Sequence, residues 1–339
     1  MFSSVVSSQH WLQFSELSDV CFIFMKESWK EAVHRQRIAL AERLSQPLAK
    51  LAANCEPVWG NREALDNVLR NGFSTVPDGL FMYVLDTNGV QISDNVSAEG
   101  LLKEHYGRDR SSRPYMREAV PSWGFLLSEA YLSLRANRPS ITALQLVRRG
   151  DQVLGYVGVD FDLRDLPVTA ELYEESGEWR QIKGDPAIRS SVFLQCRTES
   201  PMDKHIDVAC AIIEELITDR GMFQGVIHFS SSRATAWFMS DPYRYRILDA
   251  EALSHPDVCL LYPAQTYPDD ALIPRDRITS IMNAMKKLRL TDETFYLRSA
   301  SINIFNGMIS LTFSCDGSHY MSWQEFLDKD ETFWFGAAS

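Results

Sequence analysis

The chain has 339 residues, 45% of them hydrophobic and 23% charged, a composition that fits a globular protein with two or three cores and excludes disordered, collagenous and repeat classes. A formal charge of −11 and a pI near 5.2 argue against nucleic acid as a partner, since phosphate binding needs a basic face and the basic stretches here are short. Nothing approaches the roughly 20 apolar residues of a membrane span. The best run, VCFIFM at 20–25, is flanked by Asp19, Lys26 and Glu27 and lacks the features of a signal peptide. The chain therefore reads as cytoplasmic, without a membrane span. Six scattered cysteines (21, 55, 196, 210, 259 and 315) include no CxxC pair. That predicts reduced, mostly buried thiols and no disulfide framework or zinc ribbon.

In chain order, residues 26–54 read as a long helix. Leu40, Leu44, Leu48 and Leu51 recur at helical spacing, and Pro47 marks a kink or a join. The stripe is also a candidate homodimer seam. NREALDNVLRNGF gives a second helix, with Asn61 as N-cap and Gly72 as stop. LFMYVLDTNGVQISD (80–94) predicts a hairpin turning at Asn88–Gly89. A loop with a short helix follows, and then a second hairpin around Gly150 that ends in VLGYVGVDF. The segment 175–190 reads as a turn-rich linker. Beyond it, 205–217 and 277–290 read as amphipathic helices, 225–239 as a hairpin, and 295–315 as another turning near Asn306–Gly307. DPYRYRI (241–247) reads as a turn entering a strand with its arginines outward. The expected fold class is α+β: a long helix on an antiparallel sheet, then a second α+β domain. The expected boundaries are a helical segment at 1–55, a first domain at 56–190 and a second at 200–339.

The stretch GRDRSSRPYMR places arginines at 108, 110, 113 and 117, and Pro114 and Tyr115 directly after the third. YVLDTNGVQISD, this arginine-proline-aromatic loop and the closing strand GYVGVDFDL occur in the order that resembles the Cache family, the PAS-like sensor domains of bacterial receptors. The match covers about 30–190. Amino-acid-binding members share Tyr-x4-Arg-x-Trp-Tyr, a later Tyr and an Asp in the closing strand. The resemblance implies ligand contact by Arg113, Tyr131 and Asp160. A guanidinium holds a carboxylate through paired charge-assisted bonds, while an Asp and a phenol receive an ammonium. The pattern also departs from the family. Arg108 stands in place of the first Tyr, Tyr115 in place of the Trp and Met116 in place of the second Tyr, which tilts the ligand towards a dicarboxylate or other organic acid. The bland alternatives are a structural ion pair for Arg113, core aromatics for Tyr115 and Tyr131, and a solvated basic loop for Arg108, Arg110 and Arg117.

The last 140 residues match no motif of known function. Cys315 and His319 lie close in sequence, but a cysteine hydrolase needs thiolate, base and orienting group to converge in space. His228, His255 and His319 are too dispersed for a metal, and SSSRATAWF lacks the Gly-Lys spacing of a phosphate loop. No cofactor is expected. The sequence thus reads as a non-catalytic sensor of a small carboxylate-bearing metabolite, an amino acid or organic acid. It would signal through its C-terminal domain or a protein partner. The alternatives are an enzyme with its site around Arg233, Asp316 and His319, and an interaction scaffold.

Overall fold

A computed structural model describes residues 28–121, 123–134, 138–166, 196–315, 317–330 and 333–334. The run at 20–25, the linker at 175–190 and Asp316 lie outside the described residues.

Helix α1 spans Trp29–Cys55 and starts from a reciprocal cap. The Ser28 hydroxyl accepts the Glu31 N–H, and the Glu31 carboxylate accepts the Ser28 N–H. It runs through Pro47 as one helix rather than as two joined segments. Leu40, Leu44, Leu48 and Leu51 are at most 4% exposed. They pack into the chain's own apolar core, so the stripe is already used and offers no free seam to a second chain. Helix α2, Arg62–Gly72, is capped by Asn61 as its sequence predicts.

The first sheet is antiparallel and contains β1 (Phe81–Asp86), β2 (Asn95–Ser97), β3 (Gly100–Leu102), β4 (Phe125–Leu127), β5 (Tyr131–Leu132), β6 (Pro139–Arg149) and β7 (Gln152–Asp162). Its order is β3-β2-β1-β7-β6-β4, with β5 on β6. The hairpin expected over 80–94 is only half formed. Gly89 supplies the left-handed turn at φ +81°, and the return arm meets β1 only briefly, with the Val90 carbonyl accepting from the Asp86 N–H, the Ile92 N–H donating to the Val84 carbonyl and a single bridge between Leu85 and Gln91. On its other side, Gln91 bonds in both directions with the arginine loop, its N–H to the Arg108 carbonyl and its carbonyl to the Gly107 N–H. The strand paired with β1 on that side is β2. Within the loop, the expected short helix is reduced to single 3-10 turns at Lys103–His105 and Pro114–Met116.

The second sheet has the order β10-β9-β8-β11-β12-β13. Its strands are β8 (Met222–His228), β9 (Arg233–Phe238), β10 (Asp241–Leu248), β11 (Leu297–Asn303), β12 (Met308–Phe313) and β13 (Ser318–Ser322). Helices α3 (Ile206–Asp219) and α4 (Ile278–Leu290) pack on one face of it. The turn at Gly307 has φ +69°. Arg246 departs from the sequence reading: it pairs with Ala236 on the inner face and is 6% exposed near Asp241, and only Arg244 points outward. Among the described cysteines, Cys55, Cys210 and Cys259 are buried, whereas Cys196 and Cys315 are exposed.

Most of the buried apolar residues form one cluster running through both halves. Polar bridges cross the same junction. Arg37 of α1 reaches the carbonyls of Leu127 and Ser128 and the carboxylate of Asp257, and the fully buried Arg220 bonds the carbonyls of Leu163 and Tyr262. No helix among the described residues is long and apolar enough to cross a membrane.

Candidate functional site

Strand alternation sorts the first sheet into two chemistries. Met82 and Val84 of β1, Ile141 and Ala143 of β6, and Val157 and Val159 of β7 join the apolar core. Their neighbours Tyr83, Thr142, Gly158 and Asp160 face the other way. Register then brings these together: Tyr83 lies opposite Gly158, and Thr142 opposite Asp160. Gly158 is required there, because a Cβ at that position would lie 2.4 Å from the Tyr83 ring.

The arginine loop roofs this face. It is stitched to the turn after β1 by the Arg110 N–H to the Gly89 carbonyl and by the paired Gln91 bonds. A Cβ at Gly89 would meet the Ser111 backbone at 3.1 Å, so the close approach also needs glycine. Between roof and sheet lies a cavity of about 340 Å³. Of the residues singled out in the sequence, Arg108, Arg113, Tyr115, Tyr131 and Asp160 line it. Met116 does not; it packs beside Tyr83, Leu85, Tyr115 and Leu144.

Asp160 anchors a fixed hydroxyl network. Its Oδ1 accepts from the Tyr83 phenol at 2.7 Å and from Thr142 Oγ1 at 2.7 Å. Thr142 has one hydroxyl proton, given to Asp160, so in its 2.6 Å contact with Tyr131 the phenol is the donor. The Tyr131 oxygen is thereby left as an acceptor at the cavity. Burial, and then the Asp160 charge, raise the pKa of Tyr83, Tyr115 and Tyr131, which keeps all three phenols neutral.

Arg110 is not in a solvated loop. It is 4% exposed, stacks on the Tyr83 ring at 3.7 Å and donates to Gln91 Oε1, Asn95 Oδ1 and the Tyr115 hydroxyl. It also lies 3.5 Å from Asp160 Oδ2. Burial opposes its charge, but Tyr83, Asp160 and Tyr115 outweigh this and raise its pKa. Arg117 is exposed, as a solvated loop predicts. Arg113 differs from Arg110: it is half-buried at the cavity wall, and among the described residues its guanidinium has no hydrogen-bond or ion-pair partner. Arg108 is exposed at the mouth, 3.4 Å from His105 Nδ1. Sequence reasoning missed Tyr83, Thr142 and the inward turn of Arg110. The strand alternation that links Tyr83 to Asp160 was legible only once the pairing register was known.

Chemically, the cavity offers an uncommitted guanidinium to an anion, and a carboxylate edge with a phenol oxygen to a donor. Among the described residues, no cluster of three or more His, Cys, Asp or Glu is placed to hold a metal. In the second half, Arg233 and His319 do not converge. They sit on β9 and β13, four strand spacings or roughly 19 Å apart. His319 lies opposite the buried Leu311 and makes an edge contact with the Phe313 ring, on the inner face. Arg233 lies opposite His228 on the outer face.

No protein-family model matches the sequence, and no curated protein matches it. Solved structures do. The ligand-binding domain of the Campylobacter jejuni chemoreceptor Tlp3 in complex with L-norvaline is similar at 19% identity over 40% of this chain and 55% of that one, with a TM-score of 0.32. An extracellular ligand binding receptor from Desulfohalobium retbaense gives 14% identity over 40% of this chain and 25% of that one, with a TM-score of 0.32. The ligand-binding domain of the Pseudomonas fluorescens chemoreceptor CtaA in complex with L-serine gives 18% identity over 40% and 56%, with a TM-score of 0.30. This chain therefore spans between a quarter and little more than half of the length of these neighbours. Their descriptions are those of ligand-binding receptors and chemoreceptor ligand-binding domains.

Proposed function

We infer that the chain is a ligand-binding sensor whose N-terminal module takes up a small carboxylate-bearing metabolite, an amino acid or an organic acid. The observation that carries this reading is Arg113: a half-buried guanidinium at a cavity wall, with no partner among the described residues, opposite a network that ends in Asp160. A ligand carboxylate would pair with Arg113, and Arg108 at the mouth adds attraction for a second anionic group. An α-amino group would find the Tyr131 oxygen and Asp160 Oδ2. Arg110 already faces that Oδ2, so the cation side of the site is weaker than its anion side, which favours an organic acid. The solved chemoreceptor domains with L-norvaline and L-serine bound are in keeping with a ligand of this size.

The C-terminal domain is the proposed output. Ala130, the residue before Tyr131, donates its N–H to Asp257 Oδ2 at 2.9 Å, and the other oxygen of Asp257 accepts from Arg37. A shift of Tyr131 on ligand binding would bear directly on this junction. The enzyme reading is not favoured, because Arg233 and His319 lie on opposite faces and far apart. A thermal-shift screen against amino acids and mono- and dicarboxylates, followed by titration calorimetry of hits, tests the reading. A ligand at one hundred times its Kd stabilises the fold by about 2.7 kcal/mol. A screen in which no acid shifts the melt, or in which hits bind Arg113→Ala as tightly as the parent, would refute it.

A further inference from the structure

In the first half, the sheet face turned away from the core is roofed by the arginine loop. The corresponding face of the second sheet has no such roof among the described residues: α3 and α4 pack on one side, and the other looks outward. Its central row crosses all six strands as Ile247, Thr235, Val226, Ser301, Ser310 and Tyr320. Trp237 and Met308 stand in the row on one side, and Arg233 and His228 in the row on the other.

This face is unlike the rest of the surface. The chain carries 45 acidic residues, yet none of these three rows contains Asp, Glu or Lys. Depletion of charge together with aromatic and Met side chains is the signature of an interface core. Tyr320 is 74%, Tyr245 41% and Met308 39% exposed, and Tyr245 lies against Trp237 with ring centroids 6.0 Å apart. Polar groups on the face satisfy one another sideways: Ser301 and Ser310 share a 2.8 Å hydroxyl bond, and Asn303 donates to Gln224 at 3.0 Å. Covering them would strand few unpaired donors or acceptors.

We propose that this face is where a second copy of the chain docks, sheet on sheet, about a twofold axis. Six strands about 4.8 Å apart and three rows about 6.8 Å apart give a footprint of roughly 600 Å² per copy. Two copies bury about 1,200 Å² before side-chain relief is added, which reaches the size of specific interfaces. Charge argues for the same partner. Chains of −11 repel each other, and on this face they approach without opposing carboxylates. Arg233 lies off-centre, so a twofold axis through the central row does not set it against its own copy. Within these three rows an acidic partner would find only Arg233 and His228 to answer it. The leucines of α1 are already buried in their own core and offer no competing seam.

The test is sedimentation velocity of the full chain across the micromolar range. The parent sediments as a dimer. Val226→Glu and Tyr320→Glu, which set like charges at the centre and edge of the contact, each raise the dimer dissociation constant roughly tenfold or more. Tyr320 is mostly exposed, so its replacement leaves the fold intact, and a circular-dichroism melt confirms this for both variants. Ile38→Glu, on the exposed side of α1, leaves the mass unchanged. A parent that stays monomeric at every concentration overturns the proposal, and so does a dimer that both face variants leave intact.

Discussion

Arg110 and Arg113 are three residues apart in one loop, but they lie in opposite surroundings, and one pair of substitutions separates the roles proposed for them. Arg110 is buried, stacked on Tyr83, bonded to Gln91, Asn95 and Tyr115, and close to Asp160. Arg110→Ala removes these contacts at once. It also leaves Asp160, at 19% side-chain exposure, without its cation. Breaking a buried pair in this way costs about 3–5 kcal/mol, or a fall in melting temperature of roughly 10 °C. Arg113→Ala removes a guanidinium without a partner among the described residues, so the unliganded protein should melt within a degree or two of the parent. Its effect appears only with ligand. Loss of a carboxylate's buried counter-charge costs about 3–5 kcal/mol, or two to four decades in affinity. Circular-dichroism melts without ligand and calorimetry with the best acid from the screen measure the two effects on the same variants. The reasoning fails if Arg113→Ala melts as early as Arg110→Ala, or if Arg110→Ala leaves the melt unchanged.

Gly158→Ala should destabilise the fold by about 1–3 kcal/mol through overpacking, since its Cβ would fall 2.4 Å from the Tyr83 ring; an unchanged urea midpoint would contradict this. Arg289, wholly buried, clamps both oxygens of Asp203. Arg289→Ala should cost about 3–5 kcal/mol and, on urea unfolding, exceed any single surface substitution. Burial, and then the charge of Asp165, push the Asp162 carboxyl up to about 7. Burial likewise pushes Glu215 up to about 7 against the pull of Arg220. Between pH ~4 and ~7 the folded chain keeps protons that the unfolded chain has released, so stability falls as pH rises through that window. The melt should come later at about pH 5.5 than at about pH 8, and Glu215→Gln should narrow the gap. A melt that rises with pH across the window would refute the assignment.

Much of this protein follows from local rules, and those parts were legible. Ser28 and Glu31 cap α1, Asn61 caps α2, and Gly89, Gly150 and Gly307 turn chains at positive φ, each decided within a few residues. VLGYVGVDF marked β7, and its resemblance to the closing strand of the Cache family singled out Asp160 before any pairing was known. The character of the arginine loop was not local. Whether Arg110 or Arg113 turns inward depends on how the loop is laid along Gly89–Gln91, and those backbone bonds join segments about twenty residues apart. The same long-range register seats Tyr83 over Gly158 and brings Thr142 to Asp160. The leucine stripe of α1 could be read as a seam or as a core face, because periodicity shows that a helix has an apolar side and not what covers it. Only the sheet it packs against decides. Arg246 makes the same point in reverse. Its neighbours suggested an outward strand residue, but the register with Ala236 placed it inside. Sequence spacing determines which residues share a face; tertiary packing determines which faces meet.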